Sequence, residues 1–197
     1  MAYPPETHRF PQVRYVFLDR DGVINRKAPE GQYIYRWDDF HLLPGAEDAI
    51  ARLNRSGYTV IVVTNQRGAA LGFYSEGDIQ RLHEQLRKHL SASGAHLDAV
   101  YYCPHDKNGC DCRKPGPGMF LQAFRDFPSA SGSNSIVIGD SRSDIEAGVG
   151  LGMPTIFIQS DPSRQKPGAD RAAAMADEIA GSLFEAVDRF LPLATKN

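Results

Sequence analysis

The chain has 197 residues, 22 Lys and Arg against 24 Asp and Glu, a net charge of −2 and a hydrophobic fraction of 42%. That length suits one globular domain, and the charge balance leaves no basic surplus for nucleic acid or an anionic membrane surface. No apolar run approaches the roughly 18 residues of a membrane helix, and the first ten residues hold no apolar signal core, so a cytoplasmic monomer is expected.

Residues 1–12 are polar, carry Pro4, Pro5 and Pro11, and read as a loose leader to a single domain over 13–197. Val13 to Leu18 is short, apolar and partly β-branched, the signature of a buried strand, and it stops at Asp19-Arg20-Asp21-Gly22. Residues 25–43 lack periodicity and read as a long functional loop. Pro44 suits the first turn of a helix with Ala46, Ala49, Ile50 and Leu53 on one face and Gly57 as its stop. Thr59 to Val63 is a second strand, ending at Thr64-Asn65-Gln66. Ser75 and Asp78 form a capping box that opens a helix with Ile79, Leu82, Leu86 and Leu90 in one stripe. His83 and His89 are placed on the surface of that helix.

A third strand is predicted over Asp98 to Tyr102, followed by a Cys/His loop and Arg113-Lys114-Pro115. A helix is expected from Pro117 to Phe127. A fourth strand over Ser135 to Ile138 ends at Gly139-Asp140-Ser141, and a short helix covers Asp144 to Gly150. A fifth strand runs from Pro154 to Ile158, residues 159–169 form a loop, and a last helix carries Ile179, Leu183, Val187 and Phe190 on one side. Strands alternating with helices imply right-handed crossovers and a mostly parallel sheet covered on both faces, a three-layer Rossmann-like α/β fold. Ligands of such sheets bind beyond the carboxyl ends of the strands. Asp19, Asp21, Thr64 and Asp140 all fall at those ends.

The residue types suit phosphoryl transfer. One of Asp19 and Asp21 can attack phosphorus, and the other can protonate the leaving alkoxide and then deprotonate water. A carboxylate attacking a phosphate dianion meets like-charge repulsion, so a cation must offset it. Asp19 and Asp140 offer hard oxygens to Mg²⁺, with Asp144 behind them. Lys114 can neutralise phosphate oxygens and Thr64 can donate to one. Asn65, Gln66 and Arg67, which follow Thr64, and Arg113, whose guanidinium fork suits a second anionic group, are candidate substrate contacts. Each residue has a blander reading alone: an Asp at a strand end is often a turn former or a helix cap. The joint order, each after a strand, carries the argument.

Cys103-x-His105 and Cys110-x-Cys112 supply three thiols and one imidazole, a set suited to a structural Zn²⁺. Reduced, uninvolved thiols are the rival reading. A Cys110–Cys112 disulfide would close a strained ring. Trp37, Tyr33 and Tyr35 in the long loop either face a sugar or pack over the sheet edge.

The ordered segments Asp19-Arg20-Asp21-Gly22-Val23, Thr64-Asn65-Gln66, Lys114-Pro115 and Gly139-Asp140-Ser141-Arg142-Ser143-Asp144 resemble the four motifs of haloacid dehalogenase superfamily phosphatases, over residues 13–158. The resemblance implies Asp19 as nucleophile, Asp21 as general acid/base, and Thr64 and Lys114 as the phosphoryl-stabilising pair. It implies Mg²⁺ held by Asp19, Asp140 and the backbone carbonyl of Asp21. Phe17 to Asn25, Leu43-Pro44-Gly45-Ala46 and the Cys103 to Pro115 block are similar to the D-glycero-D-manno-heptose 1,7-bisphosphate phosphatases, which are essentially capless and act in bacterial heptose biosynthesis. Arg67 to Tyr74 and the short cysteine loop depart from that family's pattern, a difference that bears on substrate preference and leaves phosphoryl chemistry untouched. The expected activity is Mg²⁺-dependent hydrolysis of a small phosphorylated sugar to the 1-phosphate. Histidinol-phosphate hydrolysis and non-catalytic phospho-ligand binding are the alternatives.

Overall fold

The computed structural model of the chain describes residues 10–107, 109–159 and 167–191. In chain order the elements are β1 (Tyr15–Leu18), α1 (Ala46–Arg55), β2 (Thr59–Asn65), α2 (Glu76–Ala92), β3 (Ala99–Cys103), α3 (Gly118–Asp126), β4 (Ser135–Gly139), α4 (Arg142–Gly150), β5 (Thr155–Ile158), α5 (Ala169–Met175), β6 (Glu178–Ala180) and α6 (Leu183–Phe190). All strand pairs are parallel, in the order β3-β2-β1-β4-β5-β6. The three-layer α/β architecture expected from the sequence is the one found.

Alternation along β1 explains the layers. Val16 and Leu18 join Val60 and Val62 of β2 on one face, beneath α1, α2 and α6. Phe17 points the other way with Ile61 and Val63, beneath Met119, Phe120 and Ala123 of α3. The Phe17 and Phe120 rings sit 5.2 Å apart. Burial of such aromatic side chains contributes about 1.5–3 kcal/mol each. The central strand is therefore apolar on both faces, which is why its sequence is an unbroken hydrophobic run.

Two expectations need correction. Ile179 does not belong to the last helix. It is the centre of a sixth strand, and a fifth helix precedes it. This strand has only three residues, lies at the sheet edge and leaves Ile179 39% exposed, so it lacks the apolar run by which strands are recognised. His83 is not on a surface: it is 6% exposed. The loose leader lies mostly outside the described residues. Its end does not float, since Phe10 packs 6.5 Å from Phe190 and belongs to the core. Among the described residues no helix is long and apolar enough to cross a membrane.

The capping box at α2 forms as expected. Ser75 Oγ accepts from Asp78 N at 3.2 Å, and Asp78 Oδ2 accepts from Ser75 N at 2.8 Å. It fixes the start of the helix that carries His83.

Candidate active site

The carboxyl edge of the sheet collects the chemistry. Asp19 follows β1, its N–H continuing the ladder to the Ile138 carbonyl at 3.0 Å. Thr64 lies near the end of β2, Asp140 follows β4, and Lys114 reaches in from the loop after β3. Lys114 Nζ donates to Asp19 Oδ1 at 2.9 Å and to the Val63 carbonyl at 2.6 Å, and pairs with Asp144 Oδ1 at 2.6 Å. Asp144 Oδ2 accepts from Ser141 N at 3.0 Å and Ser141 Oγ at 2.6 Å, capping α4. Asp19, Lys114, Asp140 and Asp144 are all buried. Burial pulls the Lys114 ammonium towards neutrality, but the Asp144 and Asp19 carboxylates outweigh it and raise its pKa above the ordinary lysine value.

Asp19, Asp140 and Asp144 each present an oxygen within 4.8 Å of the others. The backbone closes tightly on this cluster. Gly22 has φ +99°, and a Cβ there would fall 1.8 Å from Asp140 Oδ2, so only glycine fits. Lys27 Nζ forms an ion pair with Asp140 Oδ2. An all-carboxylate, hard-oxygen cradle of this kind fits Mg²⁺. Each of the three carboxylates already has a cationic partner, Lys114 for Asp19 and Asp144 and Lys27 for Asp140, and Asp144 is further held by Ser141.

Asp21 is gripped on both oxygens. Asn25 Nδ2 donates to Oδ1 at 2.9 Å, Gln66 Nε2 to Oδ2 at 2.9 Å, and Arg20 Nη2 reaches both, at 3.0 and 2.9 Å. Burial pushes the Asp21 carboxyl up, but the Arg20 charge and the donors from Asn25, Arg20 and Gln66 overcome it and hold its pKa below the ordinary carboxylate value. Gln66 Nε2 also donates to Thr64 Oγ1 at 2.9 Å, and Tyr74 donates to Gln66 Oε1 at 3.0 Å. Since Thr64 Oγ1 accepts from Gln66, its own hydroxyl hydrogen is available to another acceptor.

The remaining sequence-predicted contacts take other partners. Asn65 Oδ1 accepts from Lys114 N at 3.0 Å and its Nδ2 donates to the Lys114 carbonyl at 3.1 Å, so it clamps the backbone under the ammonium. Gln66 is buried behind Asp21 and Thr64. Arg67 pairs with Asp106 in the cysteine loop. Arg113 is half-buried on that same loop, with Nη1 3.5 Å from the His105 carbonyl. Trp37 stacks on Phe40, with ring centroids 5.3 Å apart, Tyr33 lies 5.0 Å from Phe73, and Tyr35 stacks 5.2 Å from Tyr74.

The Cys/His loop brings its four donors together. Cys112 Sγ lies 3.1 Å from Cys110 Sγ and 3.2 Å from Cys103 Sγ, Cys103 Sγ lies 3.4 Å from Cys110 Sγ, and His105 Nδ1 lies 3.2 Å from Cys112 Sγ and 3.7 Å from Cys103 Sγ. A tetrahedral zinc with Zn–S near 2.3 Å spaces its sulfurs by about 3.8 Å, so the cluster is close to the size of such a site. Burial raises the Cys110 thiol, while hydrogen bonds from Cys112, Cys103 and the backbone of Arg113 and Cys112 bring it down to about 7, towards the thiolate that binds metal. The loop is tied to its neighbour: Gln66 N donates to the Cys103 carbonyl at 2.7 Å and Ala70 N to the Pro104 carbonyl at 3.1 Å.

Sequence reasoning did not single out Arg20, Tyr74, His83 or Asp106 as members of this region, and it met Lys27 only as part of the loop that touches substrate in the family it resembles. For His83 a signal existed. It falls among Ile79, Leu82, Leu86 and Leu90 at helical spacing, which places it on the buried stripe.

A family model described as HAD-hydrolase-like matches residues 111–186. The D-glycero-beta-D-manno-heptose-1,7-bisphosphate 7-phosphatase of Rhodopseudomonas palustris is 41% identical over 153 residues, covering 74% of this chain and 83% of that protein. The D-glycero-alpha-D-manno-heptose-1,7-bisphosphate 7-phosphatase of Mycobacterium bovis is 42% identical over 132 residues, covering 66% of this chain and 69% of that protein. Among solved structures, the D,D-heptose 1,7-bisphosphate phosphatase from B. bronchiseptica, complexed with magnesium and phosphate, superposes with a TM-score of 0.76 at 28% identity. It covers 90% of this chain and 97% of its own.

Proposed function

The chain belongs to the D-glycero-D-manno-heptose 1,7-bisphosphate 7-phosphatases of the haloacid dehalogenase-like hydrolases, and from that premise we propose that it hydrolyses the C7 phosphate of a heptose bisphosphate through an aspartyl-phosphate on Asp19. The observation that carries the reading is Lys114, a buried ammonium 2.9 Å from Asp19 and anchored from behind by Asp144 at 2.6 Å.

In this reading Asp19 attacks phosphorus, and the bond to the C7 oxygen breaks. Asp21 gives its proton to the departing alkoxide. The incoming phosphate opposes the ionised form of Asp21 by like charge, which drives that carboxyl towards the protonated state the step requires. Lys114 and the Thr64 hydroxyl hold non-bridging oxygens as their charge develops. Asp21, now a carboxylate, takes a proton from water as the water attacks the acyl phosphate. Mg²⁺, when held by Asp19, Asp140 and the backbone carbonyl of Asp21, supplies positive charge against the phosphate. Asn65 and Gln66 act by holding Lys114, Thr64 and Asp21 in place. In this reading Arg113 and Arg67 meet the second phosphate, Arg67 by exchanging its Asp106 partner for it, and a structural Zn²⁺, when held by Cys103, His105, Cys110 and Cys112, would order the loop that carries Arg113 into Lys114.

The test is phosphate release from both heptose 1,7-bisphosphate anomers and from histidinol phosphate, with and without Mg²⁺. Mg²⁺-dependent release from a heptose bisphosphate, leaving the 1-phosphate, is expected. Faster turnover of histidinol phosphate, or no turnover of any phosphate ester, would reject the assignment.

A further inference from the structure

We propose that Arg20 and His83 form a buried positioning pair, in which His83 is the fixed acceptor that orients the Arg20 guanidinium and, through it, the Asp21 carboxylate. The inference rests on the acid–base role given to Asp21 above.

Arg20 is 1% exposed, an unusual place for a guanidinium. Its Nε lies 3.3 Å from Asp21 Oδ1, its Nη2 contacts both Asp21 oxygens, the Ile34 carbonyl at 3.2 Å and Gln66 Oε1 at 3.2 Å, and the Phe40 ring lies 5.7 Å away. Among the described residues the hydrogen-bond partner of Nη1 is His83 Nε2, at 3.1 Å. A guanidinium can only donate, so His83 Nε2 must accept, which fixes the imidazole as the neutral tautomer protonated on Nδ1. The surroundings enforce this. Burial comes first, then the charges of Arg20 and Arg87, and together they lower the His83 pKa to about 3. Among the described residues the Tyr102 ring also lies against His83, 5.8 Å between centroids.

His83 thus behaves as an uncharged acceptor at any working pH. Without it, Nη1 would be a buried donor with no acceptor, and the guanidinium would turn to find one. Asp21 would turn with it, because Arg20 contacts both of its oxygens. His83 touches no reacting atom, and its effect passes through Arg20. A displacement of an acid–base group by about 1 Å costs on the order of a hundredfold in rate.

Leaving-group dependence separates positioning from mere stability. An alkoxide needs the proton that Asp21 delivers, whereas a nitrophenolate leaves without it, and kcat/KM reports only the steps through phosphorylation. His83→Leu should lower kcat/KM for the sugar bisphosphate by about tenfold or more, and that for p-nitrophenyl phosphate by less than about threefold. His83→Gln, whose side-chain oxygen can replace Nε2 as acceptor, should restore the former to within about threefold. Equal losses on both substrates, or no loss on either, would overturn the proposal. Asp21→Asn run alongside must show the same leaving-group contrast. If it does not, the acid role of Asp21 fails, and this proposal fails with it. If Asp21→Asn shows the contrast and His83→Leu does not, only the positioning claim falls. Should His83→Leu not fold, imidazole ¹⁵N shifts of the wild-type protein decide: Nδ1 carries the proton if His83 accepts from Arg20, and a proton on Nε2 refutes the pair.

Discussion

Asp144→Asn tests the charge arrangement beneath the site. The substitution keeps shape and capping capacity but removes one of two buried anions that hold Lys114. With Asp144 Oδ1 2.6 Å from Lys114 Nζ, the Coulomb attraction is about 6 kcal/mol at an effective dielectric of about 20. Desolvation offsets part of this, and breaking a buried pair by removing one partner costs about 3–5 kcal/mol in measured cases. A domain of this length loses about 2–4 °C of Tm per kcal/mol, so melting should fall by about 6–20 °C. Scanning calorimetry on wild type, Asp144→Asn, Lys114→Met and the double variant gives the coupling energy. It should exceed about 2 kcal/mol, because in the Lys114→Met background Asp144 has no ammonium to pair with, so Asp144→Asn costs much less there than in wild type. A Tm within about 2 °C of wild type for Asp144→Asn, or additive losses in the double variant, would refute the claim that Asp144 anchors the ammonium.

Asp19→Asn should abolish turnover on every substrate while the far-UV spectrum stays that of the wild-type fold, and measurable steady turnover in this variant would contradict covalent catalysis. Substituting Cys110 with Ser should release zinc, detected by atomic absorption, and lower kcat/KM by about tenfold or more by loosening the loop before Arg113 and Lys114; full activity without zinc would separate the loop from the site. Stability should also depend on His83. Between pH 6.5 and about 3 the unfolded chain protonates it while the folded chain does not, so the unfolded state binds more protons and stability falls as pH drops, by up to about 1.4 kcal/mol per unit from this group. Urea denaturation of wild type and His83→Gln over that range should give the steeper slope for wild type, and equal slopes would count against the buried neutral histidine.

The parts of the fold that were legible in the sequence are those where local pattern and global burial agree. β1, β2 and β4 are central strands covered on both faces, so Val16-Phe17-Leu18 and Val60 to Val63 are unbroken apolar runs. The edge strand β6 has three residues and an exposed Ile179, so it left no run to recognise, and its residues were absorbed into the following helix. Asp19, Asp21, Thr64, Lys114 and Asp140 were visible because parallel topology forces strand ends to one edge. Arg20 and Tyr74 were not, because their contacts with Gln66 and, for Arg20, His83 appear only once β2 and α2 pack against the site. The bond between Arg20 and His83 spans 63 residues, and no short-range spacing encodes it. Asn65 and Gln66 were found as site residues, yet their partners, Lys114 backbone and Asp21, appear only when β2 is set beside its neighbours.

The most direct test of the account is the covalent adduct on Asp19. Wild-type enzyme mixed with excess heptose bisphosphate and Mg²⁺, quenched in acid during steady state and digested, should yield one peptide heavier by a single phosphoryl group, with fragmentation placing the group on Asp19. The adduct should be absent in Asp19→Asn and should accumulate in Asp21→Asn when an aryl phosphate is the donor. A turning-over enzyme that shows no phosphoryl adduct under these conditions, or carries it on another residue, would contradict the account.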